Sequence, residues 1–267
     1  MTPKILFTDI DGTLLDKNRE LSINTIKQIG RLYSDYSIPV ILVSARMPKS
    51  MRILQSQLGL SNEIICYNGA LTLGKDDFTI LQDKRIEKEI SMNIFETAKL
   101  HDLHFGVFVE DNWMINKKDV WAEREIRNTK AMPEVYNELN LDKIVNLGLH
   151  KIMLMGDKNK IDLLENYLKE NHLNQLSMYR SKDTYLEINP IKSNKWNAIK
   201  NILSIYNLSF ADAIAIGDNY NDIEMIKFAG IGVAVENSPD EIKRVADFIC
   251  PSNINDGVAY TIQKYFK

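Results

Sequence analysis

The chain has 267 residues, 45% hydrophobic and 26% charged, with a net charge of −3. Those values describe an ordinary globular chain, long enough for one large domain or two modest ones, and its slight acidity leaves no basic footprint for nucleic acid. No apolar run approaches the ~20 residues of a membrane span, and a strand-like segment opens within five residues with no signal-like segment before it. A cytoplasmic protein without nucleic-acid or membrane partners is therefore expected, as monomer or homodimer. Cys66 and Cys250 sit in apolar surroundings and read as free buried thiols rather than a disulfide framework.

Ile5-Leu6-Phe7-Thr8 is a compact apolar run that ends on Asp9-Ile10-Asp11-Gly12-Thr13. From Leu21, the positions Ile23, Ile26 and Ile29, with Leu32 and Tyr33 beyond, give a helical stripe with Ser22 as its N-cap. The branched run Ile38 to Val43 reads as a buried strand of the kind a parallel sheet contains, and it ends at Ser44-Ala45-Arg46. A helix through Met51 to Leu58 follows, then a strand from Glu63 to Tyr67 that ends at Asn68-Gly69. This strand–helix alternation predicts βαβ units.

Near Asp83 the rhythm changes. Arg85 to His101 predicts one longer helix, with Ile86, Ile90, Ile94 and Ala98 at four-residue spacing. His104 to Glu110 and Asn112 to Asn116 predict a hairpin, and Val120 to Lys130 a charged helix. A strand at His150 to Met155, a helix at Lys160 to Glu170, and strands at Leu176 to Arg180 and Thr184 to Ile188 complete a separate α+β module. From Lys195 the alternation resumes. Helices are expected at Trp196 to Tyr206, Asn221 to Ala229, Pro239 to Val245 and Val258 to Phe266. Strands are expected at Ala211 to Ile216, Ile231 to Val235 and Ala246 to Cys250. The expected architecture is α/β: a Rossmann-like parallel-sheet core over 1–82 and 189–267, with an inserted α+β domain at 83–188.

In open parallel sheets ligands bind outside the carboxyl ends of the strands. Those ends carry Asp9 and Asp11, Ser44, Asn68, and the cluster Gly217-Asp218-Asn219-Tyr220-Asn221-Asp222. Paired carboxylates suit magnesium, a hard cation that prefers oxygen, and an aspartate can accept a phosphoryl group. An ordinary Asp-Gly turn and an acidic helix start explain single members of this set, but not Asp218 directly after a Gly at a strand end. Lys195, at a helix start, adds a positive charge suited to phosphate.

Asp9-Ile10-Asp11-Gly12-Thr13, Ser44, Lys195 and Gly217 to Asp222 together resemble the four ordered motifs of the haloacid dehalogenase-like superfamily. The position of the insert, Tyr67-Asn68-Gly69-Ala70 before it and Asn253-Ile254-Asn255-Asp256-Gly257-Val258-Ala259 near the end, resembles its Cof-type phosphatases with a type IIB cap. The resemblance covers nearly the whole chain. It implies a Mg2+-dependent phosphatase of small phosphorylated metabolites, such as sugar phosphates or flavin-type nucleotides. Asp9 would be the nucleophile and a metal ligand. Asp11 would be the general acid and base, binding metal through its backbone carbonyl. Asp218 would be a further metal ligand, and Asp222 would orient the metal's waters. Ile10, Ser44, Ala45, Lys195 and Asn221 would bind phosphate. Departures from the family pattern include Ala45 and Trp196 where Gly is usual; Trp196 would reshape the lip of the site or pack under the cap. A phosphotransferase or mutase on the same scaffold, a non-enzymatic phospho-acceptor and an idle sugar-phosphate binder remain as alternatives.

Overall fold

The computed structural model describes residues 2–76, 79–129, 131–136 and 138–266. Strand β1 (Ile5–Thr8) is buried at every position. Helix α1 (Ile23–Tyr36) starts at the expected cap, where the Ser22 hydroxyl accepts from the Thr25 N–H, and it buries Ile29 and Leu32. Strand β2 (Val40–Val43), helix α2 (Pro48–Leu58) and strand β3 (Ile64–Cys66) follow the expected alternation. Two strands that the sequence reading did not anticipate come next, β4 (Leu71–Leu73) and β5 (Ile80–Asp83). Both are too short for a hydrophobic period to show.

Helix α3 (Lys88–Leu100) begins after the expected Arg85, because Ile86 is taken into a bridge with Leu149 that exchanges both backbone hydrogen bonds, 2.7 and 3.1 Å. Strands β6 (His104–Val109) and β7 (Asn112–Ile115) form the expected hairpin. Helix α4 (Val120–Thr129) is started by Asp119, whose Oδ1 accepts from the Trp121 and Ala122 N–H groups; Lys130, the expected last residue, lies outside the described residues. Strand β8 (Glu134–Val135) and helix α5 (Glu138–Asn146) were not anticipated. Strand β9 (Lys151–Met155), helix α6 (Lys158–His172), strand β10 (Leu176–Lys182) and strand β11 (Tyr185–Pro190) were. The remaining elements match the expected series: α7 (Lys195–Ile205), β12 (Ala213–Gly217), α8 (Ile223–Phe228), β13 (Ile231–Val235), α9 (Asp240–Val245), β14 (Phe248–Cys250) and α10 (Gly257–Tyr265).

Two sheets result. The first has the order β14-β13-β12-β1-β2-β3-β4-β5, parallel from β14 through β3, with β4 antiparallel to β3. The second has the order β10-β11-β9-β6-β7-β8, antiparallel from β10 to β7 and parallel between β7 and β8. The chain divides into two compact units, one of Met1–Arg46, Met51–Gln82 and Asn194–Lys267, the other of Met47–Ser50 and Asp83–Ser193. The second unit extends past 188, where the sequence reading ended the insert, because β11 continues through Pro190. Each unit has its own core: Ile5, Phe7, Ile41, Ile199, Ala215 and Ile226 in the first, Phe105, Val107, Ile152, Leu154, Leu164 and Leu186 in the second. Trp196 belongs to the first core, with ring centroids 4.9 Å from Phe210 and 5.7 Å from Phe228. Among the described residues no helix is long and apolar enough to cross a membrane.

Leu154 is fully buried in the second core. Leu154→Ala is expected to lower stability by about 3 kcal/mol, from lost burial and the cavity left behind. Urea unfolding followed by circular dichroism checks this, and a loss below about 1 kcal/mol would contradict the packing.

Candidate active site

The order β12-β1-β2-β3 sets the carboxyl ends of four parallel strands side by side, and the polar groups gather there. The Asp9 N–H donates to the Ile216 carbonyl at 2.9 Å, which carries the β1–β12 ladder one step beyond the strand. The Ser44 N–H does the same with the Ile65 carbonyl at 2.9 Å. Gly12 then turns the chain with φ +89°, and a Cβ there would collide with the Asp218 carboxylate. Thr13 Oγ1 donates to Asp218 Oδ1 at 3.0 Å.

Lys195 is the first residue of α7, whose cap Asn194 accepts from the Asn197 N–H at 2.7 Å. The Lys195 ammonium is buried and donates to Asp9 Oδ1 at 2.5 Å and to Asp222 Oδ1 at 2.6 Å. The other Asp222 oxygen accepts from the Asp218 and Asn219 N–H groups at 3.0 and 3.1 Å. One cation thus faces the carboxylates of Asp9, Asp218 and Asp222, which can each offer an oxygen within 4.8 Å of the others. Burial pushes Asp9 up to about 7, with Asp222 adding to the rise and Lys195 opposing it. Burial, then the charges of Asp9 and Asp222, pushes Asp218 up to about 9. Burial by itself would lower Lys195, but the charges of Asp222 and Asp9 prevail and hold it above its ordinary value. Crowded hard-oxygen donors with uncompensated negative charge fit a divalent cation.

Asp11 takes a different partner set. Its carboxylate accepts from Arg46 Nε and Nη2, both at 2.7 Å, and from Arg19 Nη1 at 2.8 Å. Burial alone would raise its pKa; hydrogen bonds and charge from Arg46, then the charges of Arg19 and Lys195, outweigh that and leave it below the ordinary carboxylate value. Asp11 is therefore held as an anion beside the acidic cluster, and its carboxylate is outside that cluster.

Ser44 Oγ accepts from the Arg46 N–H at 3.2 Å, with Ala45 half-buried between them. The Ile10 side chain is buried, and its carbonyl accepts from the Leu14 and Leu15 N–H groups at 3.0 Å. Asn221 Nδ2 donates to Asn68 Oδ1 at 3.0 Å. Tyr67, Asn68 and Gly69 are consecutive residues with positive φ, at 51, 54 and 90°, a run that survives only where surrounding contacts fix it. The Asn68 N–H is held by the Ser44 carbonyl at 2.9 Å, and Gly69 lies so close to the Asn194 carbonyl that a Cβ would sit 2.5 Å from it. The run therefore ties β3 to the cap of α7 and hence to Lys195. Arg46 and Arg19 received no role from the sequence, and Asn68 was named only as a strand-end group. Arg46 directly follows the recognised Ser44-Ala45 pair, and Asn68-Gly69 at a strand end is itself a turn signal; no local pattern marked Arg19.

Acidic, cationic and amide groups thus gather at the carboxyl ends of the parallel strands of a Rossmann-like sheet. A family model for haloacid dehalogenase-like hydrolases matches residues 6–262. The chain is 30% identical over 271 residues to a Haemophilus influenzae protein that carries a provisional phosphatase name, covering 100% of this chain and 99% of that one. It is 28% identical over 264 residues to the 5-amino-6-(5-phospho-D-ribitylamino)uracil phosphatase YcsE of Bacillus subtilis, covering 98% and 95%. It superposes with a TM-score of 0.91 on the crystal structure of a haloacid dehalogenase-like hydrolase from Bacteroides thetaiotaomicron, 26% identical, covering 99% and 100%. The chain belongs to the haloacid dehalogenase-like hydrolases. It is a phosphatase of that family.

The raised acids have a consequence for metal-free protein. Folded, Asp9 and Asp218 keep protons up to about pH 7 and about pH 9, whereas in an unfolded chain they lose them near pH 4. The fold binds the extra protons between those limits, so the stability that these two acids contribute is lost as pH rises from about 4 to about 9. With chelator present, the melting midpoint is expected to be lower at pH 9 than at pH 6, and added divalent cation to raise it more at pH 9. Equal midpoints at the two pH values would contradict the arrangement.

Proposed function

We propose that this phosphatase hydrolyses a small phosphorylated metabolite with Mg2+, through a phosphoryl group carried on Asp9. The observation that supports this most is the division of labour among carboxylates. Asp9 lies in a buried acidic cluster with Lys195 on one oxygen, while Asp11, two residues on, is held apart by arginines. A carboxylate oxygen of Asp9 attacks phosphorus as the phosphorus–ester oxygen bond breaks, and Asp11 gives its proton to the leaving alcohol oxygen. Water then attacks phosphorus, its proton passes to Asp11, and the bond to Asp9 breaks to restore the carboxylate.

Asp11 must carry a proton for the first step, which the arginine grip opposes. A phosphate dianion is the natural competitor for Arg46, so substrate entry loosens the grip and lets Asp11 act as acid. Lys195, the Ser44 hydroxyl, the amides of Ile10 and Ala45, and Asn221 hold the phosphate oxygens. Asp9, Asp218 and the Asp11 carbonyl would hold Mg2+, which would supply charge neutralisation at the phosphoryl group. Asp222 keeps Lys195 and the Asp218 loop in place and orients the metal's waters. The insert, expected at 83–188, serves as the cap that selects the leaving group; the compact second unit, which includes Asp83–Ser193, supports this reading. Of the expected substrate classes, a ribityl phosphate on a pyrimidine ring is the first to try, since that is the substrate in the name of the Bacillus subtilis relative.

Phosphate release is to be measured with that compound, flavin mononucleotide, sugar phosphates and an aryl phosphate, in Mg2+ and in chelator. Mg2+-dependent release is expected, with Asp9→Asn lowering kcat by at least about 10³-fold. Release surviving Asp9→Asn would remove Asp9 as nucleophile. Phosphate appearing on an added alcohol instead of in solution would favour the transferase reading. Arg46→Met is expected to cost about 10–100-fold in kcat/KM, by freeing Asp11 from its position and weakening phosphate capture; unchanged kinetics would exclude that role.

A further inference from the structure

After Asp11 the chain leaves the sheet at Gly12 and rejoins regular structure at Ser22, the cap of α1. The far end of this excursion closes on itself: Asp16 Oδ1 accepts from the Asn18 and Glu20 N–H groups at 2.8 and 2.9 Å, and the Asp16 N–H donates to the Glu20 carbonyl at 3.0 Å. Arg19, in left-handed conformation with φ +63°, stands at that end and reaches back to Asp11. Local bonds account for the shape of the excursion. They do not decide where it stands.

Its placement comes from the other end of the sequence. Asn237 Nδ2 donates to the Gly12 carbonyl and Asn253 Nδ2 to the Leu15 carbonyl, each at 2.8 Å. The Asn253 N–H donates to Asn237 Oδ1 at 2.9 Å, so the two asparagines act as one device. At the return, the Asp256 carboxylate accepts from Ser22 Oγ and from Asn24 Nδ2. These bonds join residues 225, 238, 234 and 232 positions apart. The residue gripped at the start matters for chemistry: Gly12 lies against the Asp218 carboxylate, and its neighbours are Asp11 and Thr13, the latter bonded to Asp218.

We infer that Asn237 and the turn at residues 253–256 form a strap that positions the 12–22 excursion, and through it sets Asp11 and Thr13 against Asp9 and Asp218. Neither asparagine touches a reacting atom; both are positioning residues. The activity readout of this inference rests on the proposed hydrolysis, and its metal readout only on a cation site at Asp9 and Asp218.

The test compares Asn237→Ala, Asn253→Ala and the double variant with Asn255→Ala, which lies in the same turn but bonds only to Ser252 among these residues. Each single variant is expected to lower kcat about tenfold with KM within about twofold, because displacement of the acid rather than loss of binding is the defect. The double variant is expected to match the more severe single, since Asn237 holds Asn253. Mg2+ titrated alone by calorimetry is expected to bind several-fold more weakly to the single variants and normally to Asn255→Ala. Unchanged kcat and Mg2+ affinity in both singles would overturn the strap. So would a loss that tracks the urea midpoint and is shared by Asn255→Ala, the mark of a general structural defect. If wild-type protein releases no phosphate from any substrate, the phosphatase reading fails, and the Mg2+ titration alone decides the strap.

Discussion

The site depends on one buried ammonium. Lys195 lies between Asp9 and Asp222, with no access to water for its charge. A buried cation is tolerable only when fully paired, so Lys195 fixes both carboxylates. They in turn fix what surrounds them: Asp9 continues the β1–β12 ladder, and Asp222 gathers the N–H groups of the Asp218 loop. Removing either acid would leave the buried ammonium with a single carboxylate partner, and removing the ammonium would leave three neighbouring carboxylates repelling one another.

That pairing also explains why two aspartates so near in sequence behave so differently. Asp9 falls on the side of β1 that faces β12, where carboxylates outnumber cations and protons are retained. Asp11 falls just before the turn at Gly12 and against Arg46, beyond the end of β2, where cations outnumber carboxylates. The step between strands β12, β1 and β2 is thus also a step in electrostatic potential. The two aspartates therefore titrate in opposite directions without any difference in residue type.

Much of this was legible in the sequence. The apolar runs at Ile5, Ile41 and Ile214 belong to buried parallel strands, and such runs end where ligands bind, which made Asp9, Ser44 and Asp218 readable as neighbours. Ser22 was readable because a helix start needs an acceptor for its free N–H groups. What escaped was set by distance. Whether Arg46 or Lys195 would pair with Asp11 depends on sub-ångström placement, and nothing local marked Arg19 for a carboxylate eight residues earlier. Helix α5 escaped because Leu141, Ile144 and Val145 show their common face only against the rest of the second core. Trp196 was read as a residue of the lip or of the cap's underside, yet its ring found Phe210 and Phe228, partners that sequence spacing cannot pair.

The register Ile5↔Ala213 places β1 beside a strand encoded more than two hundred residues later. A chain emerging from the ribosome holds Asp9 and Asp11 long before Lys195, Asp218 or either asparagine exists. The six-stranded sheet of the insert, in contrast, draws every strand from residues 104–190 and can close without waiting. Synthesis order therefore favours an insert that folds first as an independent body, while the catalytic strand stays without its β12 partner until the last third of the chain arrives. In the nascent chain the strongly apolar β1 is the segment most in need of protection during that interval, and the site cannot assemble before Lys195 and Asp218 have been made.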